Sequence, residues 1–205
     1  MDEIAKLVHE IVNRRRGYAN FFGYSGSDKE TRKAEELDVG RELLLHLNTL
    51  GLEQYSNLSL LDDKEGNEPF PDLQAITQEQ KHIGIEITEL VNEEKVAQYA
   101  KAKNTNQSIN PNDWHVYDKG ELEFAINEII NKKNEKISRK PDHLQEIWLT
   151  IFTDEAFLKY RYVMEFKDTL ELVENLFDEI YLVISYSPEV KDNAFPNGYP
   201  IIKLK

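Results

Sequence analysis

The chain has 205 residues, 40% of them hydrophobic and 10% aromatic, which is enough apolar material for one domain with a substantial core and too much for a disordered chain. Its 38 acidic residues against 25 Lys and Arg leave a net charge of −13, an argument against indiscriminate nucleic-acid binding, because nonspecific affinity comes from neutralising phosphates. With no cysteine, disulfides, thiolate catalysis and Cys-based zinc sites are excluded, and any metal must be held by oxygen or histidine.

The first stretch, MDEIAKLVHEIV, is acidic and amphipathic and lacks the basic start and cleavage site of a secretion signal. No apolar run approaches the roughly 18 residues of a spanning helix, so a cytoplasmic protein without a membrane segment is expected. Ile4, Leu7, Val8, Ile11 and Val12 recur at helical spacing and predict a helix over residues 2–16, which ends in the basic run Arg14, Arg15, Arg16. A second helix is expected over residues 30–49, with Leu37, Leu43, Leu44 and Leu47 as its apolar side and Gly51 as its stop. An extended stretch near Asn57–Leu61 and a turn-rich connector lead into PFPDLQAITQEQKHIGIEITEL, which reads as a β-hairpin.

NEEKVAQYAKAKN then reads as a helix, with Val96, Tyr99, Ala100 and Lys103 at compatible spacing, and NTNQSINPNDW as a polar loop broken by Pro111. GELEFAINEIINKKNEKI is a clear helix. QEIWLTIFT and DEIYLVISYS are buried strands by their β-branched and aromatic content, separated by a helical FKDTLELVENLF, and NGYPIIKLK adds a short edge strand. The strand, helix, strand order predicts a parallel pair and an α/β architecture. A single domain is expected over 1–205.

Within the hairpin, alternation puts Ile83, Ile85 and Ile87 on one face and Gly84, Glu86 and Thr88 on the other, so Glu86 is displayed on a strand anchored by three isoleucines. Asp72 lies at the preceding strand, next to Pro71. Two acids that converge at neighbouring strands repel unless a cation lies between them, and Mg²⁺ or Mn²⁺ suits that position because it takes carboxylate and water oxygens. Convergence sets a condition on register. Asp72 and Glu86 share a face only if the hairpin loop holds an odd number of residues, such as Gln78–Gln80, or if a bulge corrects an even one.

Pro71-Asp72, a short strand and then IGIEIT with Glu86 resemble the core of the PD-(D/E)XK nuclease superfamily, and the order of elements agrees. The resemblance implies a restriction-endonuclease-like three-layer fold, a central mixed sheet flanked by helices with an N-terminal helix. Its core would span about residues 30–155, followed by a strand-helix-strand extension over 144–205. It implies a first-helix acid at Glu36, Glu42 or Glu35, metal ligation by Asp72, Glu86 and the Ile87 carbonyl, and a base or phosphate contact by Gln98.

The family places a lysine two residues after the Glu, where this chain has Thr88. That lysine orients or activates water and stabilises charge in the transition state. The superfamily allows a lysine from elsewhere to replace it. Ile126, Ile129 and Lys133 follow i, i+3, i+7, so Lys133 continues an apolar face and must snorkel, pair with an acid or reach a site. Lys103 continues the Val96, Tyr99 face in the same way.

The implied activity is metal-dependent phosphodiester hydrolysis of DNA, in defence, repair or a mobile element. DNA would approach basic helix ends carrying Arg14, Arg15, Arg16, Lys132 and Lys136. The competing expectation is a noncatalytic acidic interaction protein, a partner or inhibitor of a basic protein, supported by the charge of −13 and by Thr88. Tyr160, Tyr162 and Phe166 are either part of the core or a homodimer surface. His9, His46, His82, His115 and His143 have no ligand spacing, and no Walker A, G-x-S-x-G or G-x-G-x-x-G motif is present.

Overall fold

The computed structural model describes residues 29–51, 54–61, 70–92, 116–155, 158–184, 187, 190 and 193–205. The helices expected over 2–16 and in NEEKVAQYAKAKN, with Arg14, Arg15, Arg16, Gln98 and Lys103, lie outside these residues.

Helix α1 (Lys29–Leu50) carries Val39, Leu43, Leu44 and Leu47 on one buried stripe. Gly40 lets this helix lie close to the sheet, since a Cβ there would stand 2.5 Å from Leu73 Cδ1. Gly51, at φ +70°, ends it in a conformation that costs glycine little. The Asn48 amide then clamps the peptide of Tyr55, accepting from its N–H (2.7 Å) and donating to its carbonyl (3.1 Å), which ties the helix end to the first strand.

Six strands form one mixed sheet in chain order: β1 (Tyr55–Leu60), β2 (Leu73–Thr77), β3 (His82–Glu89), β4 (Glu146–Thr153), β5 (Glu179–Ile184) and β6 (Ile201–Lys203). β1, β2 and β3 are antiparallel neighbours, β3, β4 and β5 run parallel, and β6 returns antiparallel at the edge. A bulge between Ser56 and Ser59, with Asn57 at φ +55°, adjusts the register of β1 against β2. β4, β5 and β6 thus continue the sheet begun by β1–β3.

Period-2 alternation divides the core into two layers. Ile83, Ile85, Ile87, Trp148 and Val183 pack with the α1 stripe on one face. Leu149, Ile151, Ile180 and Leu182 pack on the other against α2 (Lys119–Asn134) and Val163 of α3 (Tyr160–Phe166). The architecture is α/β, with helices on both faces of a mixed sheet. No described helix is long and apolar enough to cross a membrane.

Helix α2 starts at a capping box. Asp118 Oδ1 accepts from the Glu121 N–H (2.8 Å) and Glu121 Oε2 accepts from the Asp118 N–H (3.1 Å). Its buried ridge is Leu122, Ile126 and Ile130.

The helix expected in FKDTLELVENLF is absent. α3 ends at Phe166, Lys167–Thr169 form a single 3-10 turn, and residues 170–177 run along α2 without regular secondary structure. The cause is competition for the backbone N–H groups. Glu123 Oε2 takes the N–H of Glu171 (3.0 Å), Asn127 Oδ1 that of Val173 (2.9 Å) and Asn134 Oδ1 that of Leu176 (3.0 Å), so partners on α2 replace intrahelical ones. Tyr160, Tyr162 and Phe166 are half-buried against the core, and the Tyr162 and Phe166 rings meet edge to face at 4.9 Å.

Gly84 on β3 leaves no room for a side chain. A Cβ there would lie 2.5 Å from Pro71 Cγ, 2.7 Å from Ile147 Cδ1 and 2.8 Å from Leu144 Cδ1. Three side chains, one on β4 and two in the segments leading into β2 and β4, would have to move, and one is a rigid ring. Gly84→Ala is therefore expected to cost about 2 to 3 kcal/mol, read as a lower urea midpoint at unchanged m value.

Candidate functional site

Between β2 and β3 the Thr77–Lys81 pair closes a loop of three residues, Gln78–Gln80. The Thr77 N–H donates to Lys81 O (3.0 Å), and Gln80 takes φ +63°, the left-handed position of a three-residue hairpin loop. An odd loop fixes the register: Leu73 pairs with Ile85 and Gln74 with Gly84, so Asp72, one step further, stands opposite Glu86 on the same face. That face looks towards α2.

Asp72 Oδ2 accepts a hydrogen bond from the Ile87 N–H (2.8 Å). Within a strand a residue's N–H and C=O project the same way, so the Ile87 carbonyl lies on the side from which Asp72 approaches. Glu86 is only 2% exposed. Its Oε1 accepts from Lys133 Nζ at 2.5 Å, whereas its Oε2 is buried without a hydrogen-bond partner. The Lys133 side chain is 15% exposed and reaches Glu86 from the last turn of α2, next to the buried ridge. The Asp72 and Glu86 carboxyl groups are close enough for each to act on the other's ionisation.

Burial raises the pKa of both groups. For Asp72 it is opposed by the Ile87 amide, the Lys133 and Arg32 charges and the Glu86 contact. For Glu86 the charge of Asp72 adds to it, while the charge and hydrogen bond of Lys133 and the charge of Lys136 oppose it. Glu36, 8% exposed on α1, is pushed up to about 7 by burial and then by Asp72, against the pull of Arg32, whose Nε donates to Glu36 Oε1 at 2.9 Å.

Of the three first-helix candidates, Glu36 is thus the one that feels Asp72. Glu42 accepts from Asn197 Nδ2 (2.9 Å), and Glu35 is a charge neighbour of Glu89. Thr88 is half-buried on β3 and carries no charge, so the cation at Glu86 comes from α2 instead. Lys132 is exposed and Lys136 half-buried at the C-terminal end of α2.

The donor set suits a hard divalent cation: two carboxylates face each other, and one buried oxygen, Glu86 Oε2, has no partner. It is a small set. Among the described residues, no group of three or more His, Asp or Glu side chains is disposed to hold a metal ion, so Glu36 does not complete the pair as a third ligand.

A second acidic group escaped the reading of the sequence. Glu89 at the end of β3 is pushed up to about 7 by burial first and then by Glu35, Asp154 and Glu155. Glu155, itself buried, accepts from the Asn92 N–H (2.9 Å). Neither segment signals it: these acids meet because parallel β3 and β4 end together, with Glu89 opposite Phe152. His82 and His143, 61 positions apart, also meet, ring centroids 5.7 Å apart and nearly perpendicular.

These carboxyls set a pH dependence. A carboxyl ordinarily near 4.5 that is held at about 7 when folded, as in Glu36 and Glu89, binds more protons in the folded state than in the unfolded one across that interval. Its contribution is intact below the unfolded pKa and is lost as pH rises through the folded one. Melting temperature without divalent cations is expected to fall steadily between about pH 5 and pH 8. A flat or rising profile would contradict this.

No protein-family model, curated protein or solved structure matches the chain.

Proposed function

We propose that the protein is a divalent-cation-dependent phosphodiesterase acting on DNA, built on a restriction-endonuclease-like fold of the PD-(D/E)XK type. The observation that carries this reading is the register of β2 and β3, which sets Asp72 opposite Glu86 on one face with an ammonium at Glu86. The element order supports it as well: a helix bearing the buried Glu36, then Asp72 and Glu86 on successive strands, then a parallel strand.

Asp72 and Glu86 would hold Mg²⁺ or Mn²⁺, with the Ile87 carbonyl as a third oxygen. When bound, the ion lowers the pKa of a coordinated water and offsets the charge of the scissile phosphate. The Ile87 N–H orients Asp72 through its 2.8 Å hydrogen bond. Lys133 takes the part of the lysine replaced by Thr88, presenting an ammonium where negative charge develops. Isoleucines 83, 85 and 87 keep β3, and so Glu86, rigid. Lys132 and Lys136 at the end of α2 offer a local positive edge for a phosphate backbone on an otherwise acidic chain. Defence, repair and mobile-element settings all fit this chemistry.

The test is cleavage of linear, supercoiled, single-stranded and branched DNA with Mg²⁺ or Mn²⁺. Cation-dependent nicking or cutting that EDTA abolishes is the expected result. Failure across the panel, with binding to basic proteins instead, would favour the acidic interaction protein, a reading that the net charge of −13 and Thr88 support.

A further inference from the structure

The Lys133 ammonium sits where a cation is needed. Asp72 and Glu86 face each other in a buried site, and without a positive charge their ionised forms would repel strongly. The ammonium meets that need at Glu86 Oε1, 2.5 Å away, and leaves Oε2 unpartnered. A divalent ion bound to the same carboxylate would lie a few ångströms from the ammonium in a low-dielectric setting, where a dication and a monocation repel strongly.

Lys133 is also placed to step off Glu86 without leaving the neighbourhood of the site. A motif lysine at position 88 would point from the sheet into the site, whereas Lys133 swings on a flexible four-carbon stem from the last turn of α2 and is already 15% exposed. The stem keeps the released ammonium at the edge of the site, where in the proposed reaction it would meet the negative charge developing on the scissile phosphate; Lys136, whose charge also reaches Glu86, lies at the same helix end.

We propose that the site loads its divalent cation by exchange: the Lys133 ammonium occupies Glu86 as a surrogate cation in the metal-free protein and must be displaced for the metal to bind. This rests on the reading of Asp72 and Glu86 as metal ligands and adds a regulation of that site. Metal affinity is then reduced by the fraction of time the ion pair is open. A pair closed nine-tenths of the time weakens apparent affinity about tenfold.

Two measurements test the exchange, one of which needs no variant. Mg²⁺ titrated calorimetrically into wild type and Lys133→Met is expected to bind the variant about tenfold or more tightly. In wild type, the slowly exchanging ¹⁵N ammonium resonance of Lys133 is expected to be present without metal and to disappear or move to a solvent-exposed position as Mg²⁺ saturates. If Mg²⁺ binds wild type while the ammonium signal stays unchanged, or if the two affinities are equal, the exchange is overturned and the metal site stands. If neither protein binds Mg²⁺ at millimolar concentrations, the metal site itself fails and the exchange with it.

Discussion

Lys133→Met is expected to destabilise the metal-free protein by about 3 kcal/mol at pH 8, because removing one partner of a buried ion pair leaves the other charge uncompensated. Methionine keeps the helix propensity and the apolar stem, so the loss reports the charge and not the helix. Glu86, 2% exposed and already raised by burial and by Asp72, can respond only by holding its proton to still higher pH. The destabilisation should therefore grow with pH and shrink below about pH 6. Glu86→Gln alone removes the repulsion with Asp72 and keeps an acceptor for the ammonium. The double variant should recover about 1 to 3 kcal/mol relative to simple addition. Additive urea midpoints would show that the 2.5 Å contact carries no coupling. If the protein cleaves DNA, Lys133→Met should lower the rate roughly 100-fold or more, the usual cost of losing one preorganised charge at such a centre.

The second large effect concerns Asp72. Asp72→Asn is nearly isosteric and keeps an oxygen for the Ile87 N–H, so the hairpin and its register should survive. What it removes is half of the negative charge that would hold a divalent ion. In wild type, a ligand that binds only the folded state stabilises it through mass action, by about 2.7 kcal/mol at a hundredfold excess over its Kd, and so raises the melting temperature. Asp72→Asn and Glu86→Gln should each abolish the Mg²⁺- or Mn²⁺-dependent part of that rise and, with it, any cleavage. Equal shifts in wild type and both variants would place the ion elsewhere.

The hairpin could be read from the sequence because it is local. Alternation in HIGIEIT assigns faces, and a three-residue loop then settles where Asp72 falls, one pair beyond Leu73 and Ile85. Lys133 was legible for a related reason: a lysine at i+7 from Ile126 continues the apolar side of α2, and a charged group there must find a partner. Nothing local could say that the partner would be Glu86, 47 positions earlier.

Where the reading failed, the deciding contacts were distant. Residues 170–177 have helical spacing, but Glu123, Asn127 and Asn134 take their N–H groups from more than forty positions away, and no propensity contains that information. The choice of Glu36 over Glu35 and Glu42 likewise depends on how α1 packs against β2, where Gly40 meets Leu73 across the interface. The acids at the ends of β3 and β4 become neighbours only through a parallel pairing that leaves no mark in either segment.

The pairing of Asp72 with Glu86 as a cation site is tested most directly by the anomalous difference density of a crystal soaked in Mn²⁺. A peak between the two carboxylates, within about 2.0 to 2.4 Å of an oxygen from each, is the expected result. No peak at that position, with the Lys133 ammonium still on Glu86 Oε1, would contradict it.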